Sequence, residues 1–288
     1  MQDGTLTCWA DDRTDRGCGW GVTSPSKPRI HGLGGVAEMA ASSEHGCGRF
    51  TSGGVVCWGK NQIGQAGVGQ ASDGEIAPRD TVFTDAIGLA ANQGRSCAVR
   101  KGGTVWCWGR KMGKDPVDTT KPPPKDGPHD PKPVQVGGLA GVEQVGLGEE
   151  HACARGTDGT IRCWGVNSEG QLGDGARPGR LAPARVRGIT DAVDLAVGSY
   201  HSCAITRAGK VKCWGRNWHG EVGDGTTVSR LAPVDVINVG KATQIAAGGG
   251  HSCALEKEGE LRCWGANREG QLGDGTRGST GAPTTVAF

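Results

Sequence analysis

The sequence predicts an all-β fold: a β-propeller of about six four-stranded blades, or an incomplete seven. Three observations lead there. A stretch ending in Cys-Trp-Gly recurs five times at intervals of about fifty residues. Two cysteines ten positions apart flank a glycine-containing centre in every copy. The remaining residues of each unit break into short apolar tracts separated by Gly and Asp turn residues, which makes about four strands per unit.

The repeat comes first, because self-similarity at a fixed period decides the architecture. "GSYHSCAITRAGKVKCWG" at 198–215 has counterparts at 42–59, 92–109, 148–165 and 248–265. The second cysteines, Cys57, Cys107, Cys163, Cys213 and Cys263, are separated by 50, 56, 50 and 50 residues, and Cys8 in "DGTLTCWA" lies 49 before the first. The chain is therefore expected to be one domain over 1–288. Its repeats run over approximately 1–35 (partial), 36–85, 86–137, 138–188, 189–238 and 239–288.

Between the cysteines the pattern alternates, turns at a glycine and alternates again. That glycine always stands six after the first cysteine, at Gly53, Gly103, Gly159, Gly209 and Gly259; it supplies the positive φ of a tight hairpin. A loop at 207–209 pairs 206 with 210, 205 with 211, 204 with 212 and 203 with 213. The two cysteines then face each other with Cα atoms about 4.5 to 5.5 Å apart, within disulfide range. Each such bond contributes roughly 2–3 kcal/mol in the chain-entropy model, which helps offset the ordering of 53 glycines over a thin apolar core.

An apolar tract such as "AVDLAVG" or "ATQIAAG" precedes the first cysteine, and "VNSEGQLGDG" or "ANREGQLGDG" follows Cys-Trp-Gly, leading into Pro-x-x-Val at 183–186, 233–236 and 283–286. These tracts complete the four strands. A parallel β-helix is the alternative, but its coils are usually shorter.

All twelve cysteines sort into pairs of one spacing: Cys8–Cys18, Cys47–Cys57, Cys97–Cys107, Cys153–Cys163, Cys203–Cys213 and Cys253–Cys263. This reads as a disulfide framework, which persists in an oxidising milieu, so an extracytoplasmic location (secreted, periplasmic or cell surface) is expected. Met1 opens directly on "QDGTLTC" without the charged and apolar regions of a signal peptide; the expectation is a leader removed or not included, with room for a lipid anchor upstream. No run of eighteen apolar residues is present, so no membrane-spanning helix is expected. The net charge of +2 is neutral on nucleic acid; no nucleic-acid partner is predicted.

Taken together, Gly-x-x-His-Ser-Cys-Ala, Gly-x-Val/Leu-x-Cys-Trp-Gly-x-Asn, Gly-Gln-Leu-Gly-Asp-Gly and Pro-x-x-Val resemble the repeat of the regulator of chromosome condensation family, well over 36–288 and partly over 1–35. The resemblance implies a propeller, most often seven-bladed, that binds other proteins. Members include a nuclear nucleotide-exchange factor for a small GTPase, a plant ultraviolet receptor and a secreted β-lactamase inhibitor. The paired cysteines depart from the nuclear and cytosolic members and look like an extracytoplasmic, bacterial-type variant. The tryptophan-rich motifs of a light sensor are missing where "GSYHSC" and "GGGHSC" stand. Five units and a fragment are few for seven blades: either a six-bladed ring closes between residues near Val286 and Thr7, or the chain is a piece of a longer protein.

Four motif residues admit a second chemistry. His45, His151, His201 and His251 stand two before a cysteine and are zinc-ligand types, but units set at different angles around a ring keep them from converging, and Arg95 replaces the histidine of one repeat; a structural hydrogen-bonding role is expected. Asp174, Asp224 and Asp274 lack the oxygen-rich spacing of a calcium loop and suit Asx turns. The Cys-Trp-Gly tryptophans suit blade packing better than a ligand cage. No nucleophile-base motif, phosphate-cradling loop or Cys-x-x-Cys is present; no catalytic residue, cofactor or metal is predicted.

The segment 110–133 breaks the repeat and holds the extra six residues of the long step. Insertions in repeat proteins map to loops, often on a binding face, so Lys111, Lys114, Lys121, Lys125 and Lys132, interspersed with Asp115, Asp118, Asp126 and Asp130, are the candidate partner-binding residues. The function expected is a non-enzymatic, monomeric binding scaffold for an unidentified protein, with a glycan as the lesser possibility. The alternatives are a guanine-nucleotide exchange regulator of a small GTPase and an enzyme with a site on one propeller face.

Overall fold

The computed structural model describes residues 6–7, 29–30, 34–112 and 129–286; Cys8 and Cys18 lie outside them. Every regular element there is a strand. A two-stranded antiparallel pair, β1 (Leu6–Thr7) with β2 (Arg29–Ile30), precedes five four-stranded antiparallel sheets. The first contains β3 (Val36–Ala41), β4 (His45–Phe50), β5 (Val55–Lys60) and β6 (Glu75–Asp80). The second contains β7 (Ala86–Asn92), β8 (Arg95–Arg100), β9 (Val105–Arg110) and β10 (His129–Gln135). The third contains β11 (Val142–Leu147), β12 (His151–Gly156), β13 (Ile161–Gly165) and β14 (Arg180–Arg185). The fourth contains β15 (Ala192–Val197), β16 (His201–Thr206), β17 (Val211–Gly215) and β18 (Arg230–Asp235), and the fifth β19 (Ala242–Ala247), β20 (His251–Glu256), β21 (Leu261–Gly265) and β22 (Thr280–Thr285). In each, the strands lie side by side in chain order. By compactness the chain forms two units, with the boundary inside β11 between Val145 and Gly146.

The hairpin register follows the cysteine pattern. Cys203 faces Cys213, Ala204 faces Lys212 and Ile205 faces Val211, and the Thr206 amide donates to the Lys210 carbonyl at 2.9 Å across the three-residue loop. Disulfides join Cys47–Cys57, Cys97–Cys107, Cys153–Cys163, Cys203–Cys213 and Cys253–Cys263, each with Cα atoms 4.1 Å apart, closer than the expected spacing. The hairpin glycine has a second task. Gly209 (φ 81°) offers its carbonyl to the amide of Ala242, the first residue of the next repeat's inner strand, at 2.9 Å. Gly53 with Ala86, Gly103 with Val142 and Gly159 with Ala192 do the same. The turn residue of one repeat thus sets the starting point of the next.

The core lies between neighbouring sheets. In the second unit one cluster joins Cys203, Ile205, Val211 and Cys213 of the fourth sheet to Ile245, Ala254 and Trp264 of the fifth. Another joins Cys153, Ile161 and Cys163 to Leu195, Ala204 and Trp214. In the first unit Cys47, Val55 and Cys57 pack with Leu89, Ala98 and Trp108. Trp108, Trp214 and Trp264 therefore fill gaps against the preceding repeat, and all five Cys-Trp-Gly tryptophans, Trp58, Trp108, Trp164, Trp214 and Trp264, are at most 3% exposed.

A polar node accompanies each gap. In the second unit the Gln171 carbonyl accepts Nε1–H of Trp214 at 2.9 Å and the Ser202 hydroxyl at 3.4 Å. The Glu221 carbonyl accepts Trp264 at 2.8 Å and Ser252 at 3.1 Å. In the first unit the Gln65 carbonyl accepts Trp108 at 2.9 Å and Ser96 at 3.1 Å. The serine oxygen in turn meets Nε2 of the preceding repeat's histidine: His45 with Ser96 at 2.7 Å, His151 with Ser202 at 3.0 Å and His201 with Ser252 at 2.8 Å. Because the serine proton goes to the carbonyl, the histidine donates from Nε2 and is the neutral Nε2–H tautomer. The ring fits because the position three before it is glycine: a Cβ on Gly148 or Gly198 would lie 2.3 Å from ring atoms. In the first repeat that position is Ser42, whose Oγ lies 3.0 Å from Nδ1 of His45.

Burial holds the His45 and His201 imidazoles neutral. Desolvation lowers His45 to about 4, against the opposing charge of Glu44, and lowers His201 to about 3, aided by Arg216 and His251. In the unfolded chain a histidine titrates near 6.5. Stability is therefore complete above about pH 6.5 and falls as pH drops toward the folded values, with a slope of up to about 1.4 kcal/mol per pH unit for each histidine. His201→Gln keeps a side-chain amide near the Nε2 position and removes the titration. Urea denaturation from pH 7.5 to 4.5 is expected to show a shallower loss of stability in that variant by one proton's slope; an unchanged slope refutes the assignment.

Candidate functional site

The motifs that looked like chemistry in the sequence are spent on holding repeats together. His45, His151 and His201 bond to serines of the following repeat, and the tryptophans are core. The aspartates form Asx turns: Oδ1 of Asp174, Asp224 and Asp274 accepts the amides of Ala176, Thr226 and Thr276 at 2.9–3.0 Å. Partial burial alone would raise Asp224, but hydrogen bonds from Thr226 and Arg230 bring it below the usual carboxylate range. Arg95, which replaces the motif histidine, is 2% exposed and donates to the carbonyls of Arg110 and Lys111 at 2.7 and 2.9 Å. The repeat after it carries Ala152 where the second, fourth and fifth carry serine.

The inserted tract is shorter than the sequence suggested. Strand β9 extends to Arg110 and β10 begins at His129, so Asp130 and Lys132 are strand residues rather than loop. Lys111 Nζ lies 3.1 Å from Asp130 Oδ1, and Lys132 runs beside Gly69. Lys114, Lys121 and Lys125, with Asp115, Asp118 and Asp126, fall outside the described residues.

The sequence reading missed a cluster in the fourth repeat. Arg216 stands directly after Cys-Trp-Gly, and its guanidinium carbon lies 4.5 Å from the Tyr200 ring centroid and 5.5 Å from that of Trp218. Trp218 is 60% exposed, as is Val228 in the same loop at 59%. Nε of Arg216 is 3.2 Å from Oε1 of Glu221, and Nη2 is 3.4 Å from the Gly249 carbonyl. The Tyr200 hydroxyl donates to Glu149; that bond, burial and the Glu149 charge push the phenol up to about 12, with Arg216 opposing.

The sister repeats serve as internal controls. Where the fourth has Tyr200, Arg216, Trp218 and Glu221, the third has Glu150, Val166, Ser168 and Gln171, and the fifth has Gly250, Ala266, Arg268 and Gln271. Both fold alike, so the blade does not require the aromatic and charged set. The substitution at Glu221 is coupled to that at Arg216. In the third and fifth repeats the glutamine Oε1 accepts the amide of Glu169 or Glu269 at 2.9–3.0 Å, a task that Glu221 Oε2 performs for His219 at 2.8 Å. The other end of Gln171, its Nε2, is buried with no hydrogen-bond partner among the described residues. In Glu221 that end is a carboxylate oxygen, fully buried, and Arg216 pairs with it. The pair fixes the guanidinium, and the guanidinium fixes two aromatic rings. Exposed aromatic and Arg side chains held in one orientation are the composition of binding hot spots, because little side-chain entropy remains to be lost.

The chain matches the family description "Regulator of chromosome condensation (RCC1) repeat" over 36–65, 142–171, 192–221 and 242–271, and a second description of that repeat over 158–205 and 208–255. It is 29% identical over 154 residues to human "Probable E3 ubiquitin-protein ligase HERC6", covering 51% of this chain and 15% of that protein. It is 27% identical over 154 residues to "Protein pim1" of Schizosaccharomyces pombe, covering 50% and 28%. The chain thus spans less than a third of the length of these curated relatives. Among solved structures, human WBSCR16 superposes with a TM-score of 0.76 at 18% identity, covering 91% of this chain and 69% of that one. Prp20p of Saccharomyces cerevisiae superposes with a TM-score of 0.61 at 18% identity, covering 98% and 85%. At such identity these two speak to the fold, which is of the propeller-repeat type. With its repeats matched over more than half its length, the chain belongs to the regulator of chromosome condensation (RCC1) repeat family.

Proposed function

We propose that this chain is a non-enzymatic protein-binding module working outside the cytoplasm, and that the exposed Trp218, braced by Arg216 against Tyr200, is the centre of its binding surface. The observation that carries this reading is the loading of one repeat with an aromatic-arginine set that its sisters fold without. The five disulfides support an oxidising compartment. We also read the repeats as one propeller of about six blades, acting as a monomer, with the lysines of the inserted tract as a second contact region. Prp20p, described with binding properties to Gsp1p and histones and, as yeast RCC1 (Prp20), bound to Kap60, is a fold neighbour that binds proteins. Exchange activity on a small GTPase would rest on such likeness alone. The name of HERC6 belongs to a protein of which 15% is matched.

Trp218→Ala is expected to leave the melting behaviour within about 0.5 kcal/mol of the parent, as at other exposed positions. It is expected to weaken a partner found by affinity capture from an extracellular fraction by about 2 kcal/mol, some thirtyfold in Kd. Equal binding by parent and variant would exclude this surface. Peptide mapping of non-reduced protein purified from its native source should return the five ten-residue linkages; free thiols throughout would remove the compartment claim.

A further inference from the structure

A second surface feature stands apart from the aromatic site and does not depend on it. In three of the sheets the position one before the second cysteine is a cation: Arg162 in the third, Lys212 in the fourth and Arg262 in the fifth. Lys212 is answered across the sheet by Asp235, with Nζ 2.6 Å from Oδ1. Arg262 is answered within its hairpin by Glu256 at 2.8 Å and Glu260 at 3.0 Å. The third repeat has replaced all three carboxylate positions. Gly156 stands where the fifth has Glu256, Thr160 where it has Glu260, and Arg185 where the fourth has Asp235.

The result is a like-charged pair at one rung of the sheet. Arg162 and Arg185 are directly opposed on β13 and β14, a placement that ordinarily destabilises a sheet. Among the described residues the side chain of Arg162 donates only to the Thr160 hydroxyl, at 3.3 Å. Arg185 is exposed and makes no ion pair among the described residues. Asp158, at the hairpin tip, feels both guanidinium charges, but its Oδ1 is taken by the amide and hydroxyl of Thr160 at 2.9 and 2.8 Å. Two guanidinium groups on directly opposed strand positions, without the carboxylates that Lys212 and Arg262 meet, present donors suited to bidentate capture of an oxyanion.

We infer that Arg162 and Arg185 form a clamp for an oxyanion supplied by a ligand, which answers Arg162 as Glu256 and Glu260 answer Arg262 in the fifth repeat. The sources of such an anion are a free sulfate or phosphate and the carboxylates of an acidic peptide, and the test separates them. The Nε–H resonances of Arg162 and Arg185 in ¹⁵N-labelled protein would be followed during titration with sodium sulfate, sodium phosphate and an acetylated tetraglutamate amide, at constant ionic strength made up with chloride. Arg185→Asp restores the cross-strand pair of the fourth repeat, so it keeps the fold and serves as the control.

The expected result is saturable shifts of both arginines in the parent, with the Arg162 shift absent in Arg185→Asp and the Arg185 shift requiring at least tenfold more anion in Arg162→Gln. Half-saturation by the inorganic anions is expected on the order of millimolar, as for a few exposed charge-assisted bonds. Tighter binding of tetraglutamate than of sulfate assigns the clamp to an acidic segment, and the reverse assigns it to a small tetrahedral anion. Shifts that fail to saturate with all three probes, or that persist in Arg185→Asp, overturn the proposal. Arg185→Asp should also melt higher than the parent in chloride, and a lower melting temperature would contradict the repulsion on which the inference stands.

Discussion

A backbone carbonyl repeated at three of the repeat junctions is the contact on which the remaining packing depends. At Gln65, Gln171 and Glu221 it takes a hydrogen bond from the indole and another from the serine hydroxyl of the following repeat. A buried carbonyl with both lone pairs engaged avoids the cost of an orphaned acceptor, and the two donors fix the next repeat in rotation as well as distance. The glycines of Gly-Gln-Leu-Gly follow from this. A Cβ at Gly67, Gly173 or Gly223 would stand 2.7 Å from the indole nitrogen of Trp108, Trp214 or Trp264, so the loop must come close enough that only glycine fits.

The disulfides act inside this frame. Each cross-links two strands that the hairpin already pairs, and in three of them a sulfur lies against the next repeat: Cys47, Cys153 and Cys203 Sγ are 3.6–3.7 Å from Ser96, Ser202 and Ser252 Oγ. Local closure by covalent bonds and neighbour-to-neighbour closure by the carbonyl nodes divide the task of ordering a glycine-rich chain. Such a division is typical of repeat architectures, in which every unit contacts only its neighbours.

Much of this was legible in the sequence, because repetition turns spacing into geometry. The opposed cysteines and the hairpin glycine at Gly209 follow from counting residues, and the structural role of the histidines follows from their recurrence. The serine partners were not foreseen, since His201 and Ser252 are 51 residues apart and no local pattern links them. The aromatic-arginine site was missed for the opposite reason. The reading sought what recurs, whereas Trp218, Arg216 and Glu221 are the places where one repeat stops resembling the rest. The lysine-rich insertion attracted attention because it changes length; a change of residue type at constant length is quieter, and needs the stacked rings and the buried carboxylate to be seen in place.

The Arg216–Glu221 pair also constrains the order in which such a site is assembled. A glutamate introduced at 221 before the arginine would bury an uncompensated carboxylate, a change costing several kcal/mol. A cation at 216 beside a neutral glutamine carries no such penalty, and the first repeat displays that arrangement, with Lys60 part-exposed and paired to Glu44 while Gln65 keeps its amide. The path runs from surface charge to buried charge, and once Glu221 is in place Arg216 can no longer be lost alone. A repeat that has taken both steps is committed to holding a guanidinium at that spot, so that variation among descendants falls on the rings that lean against it.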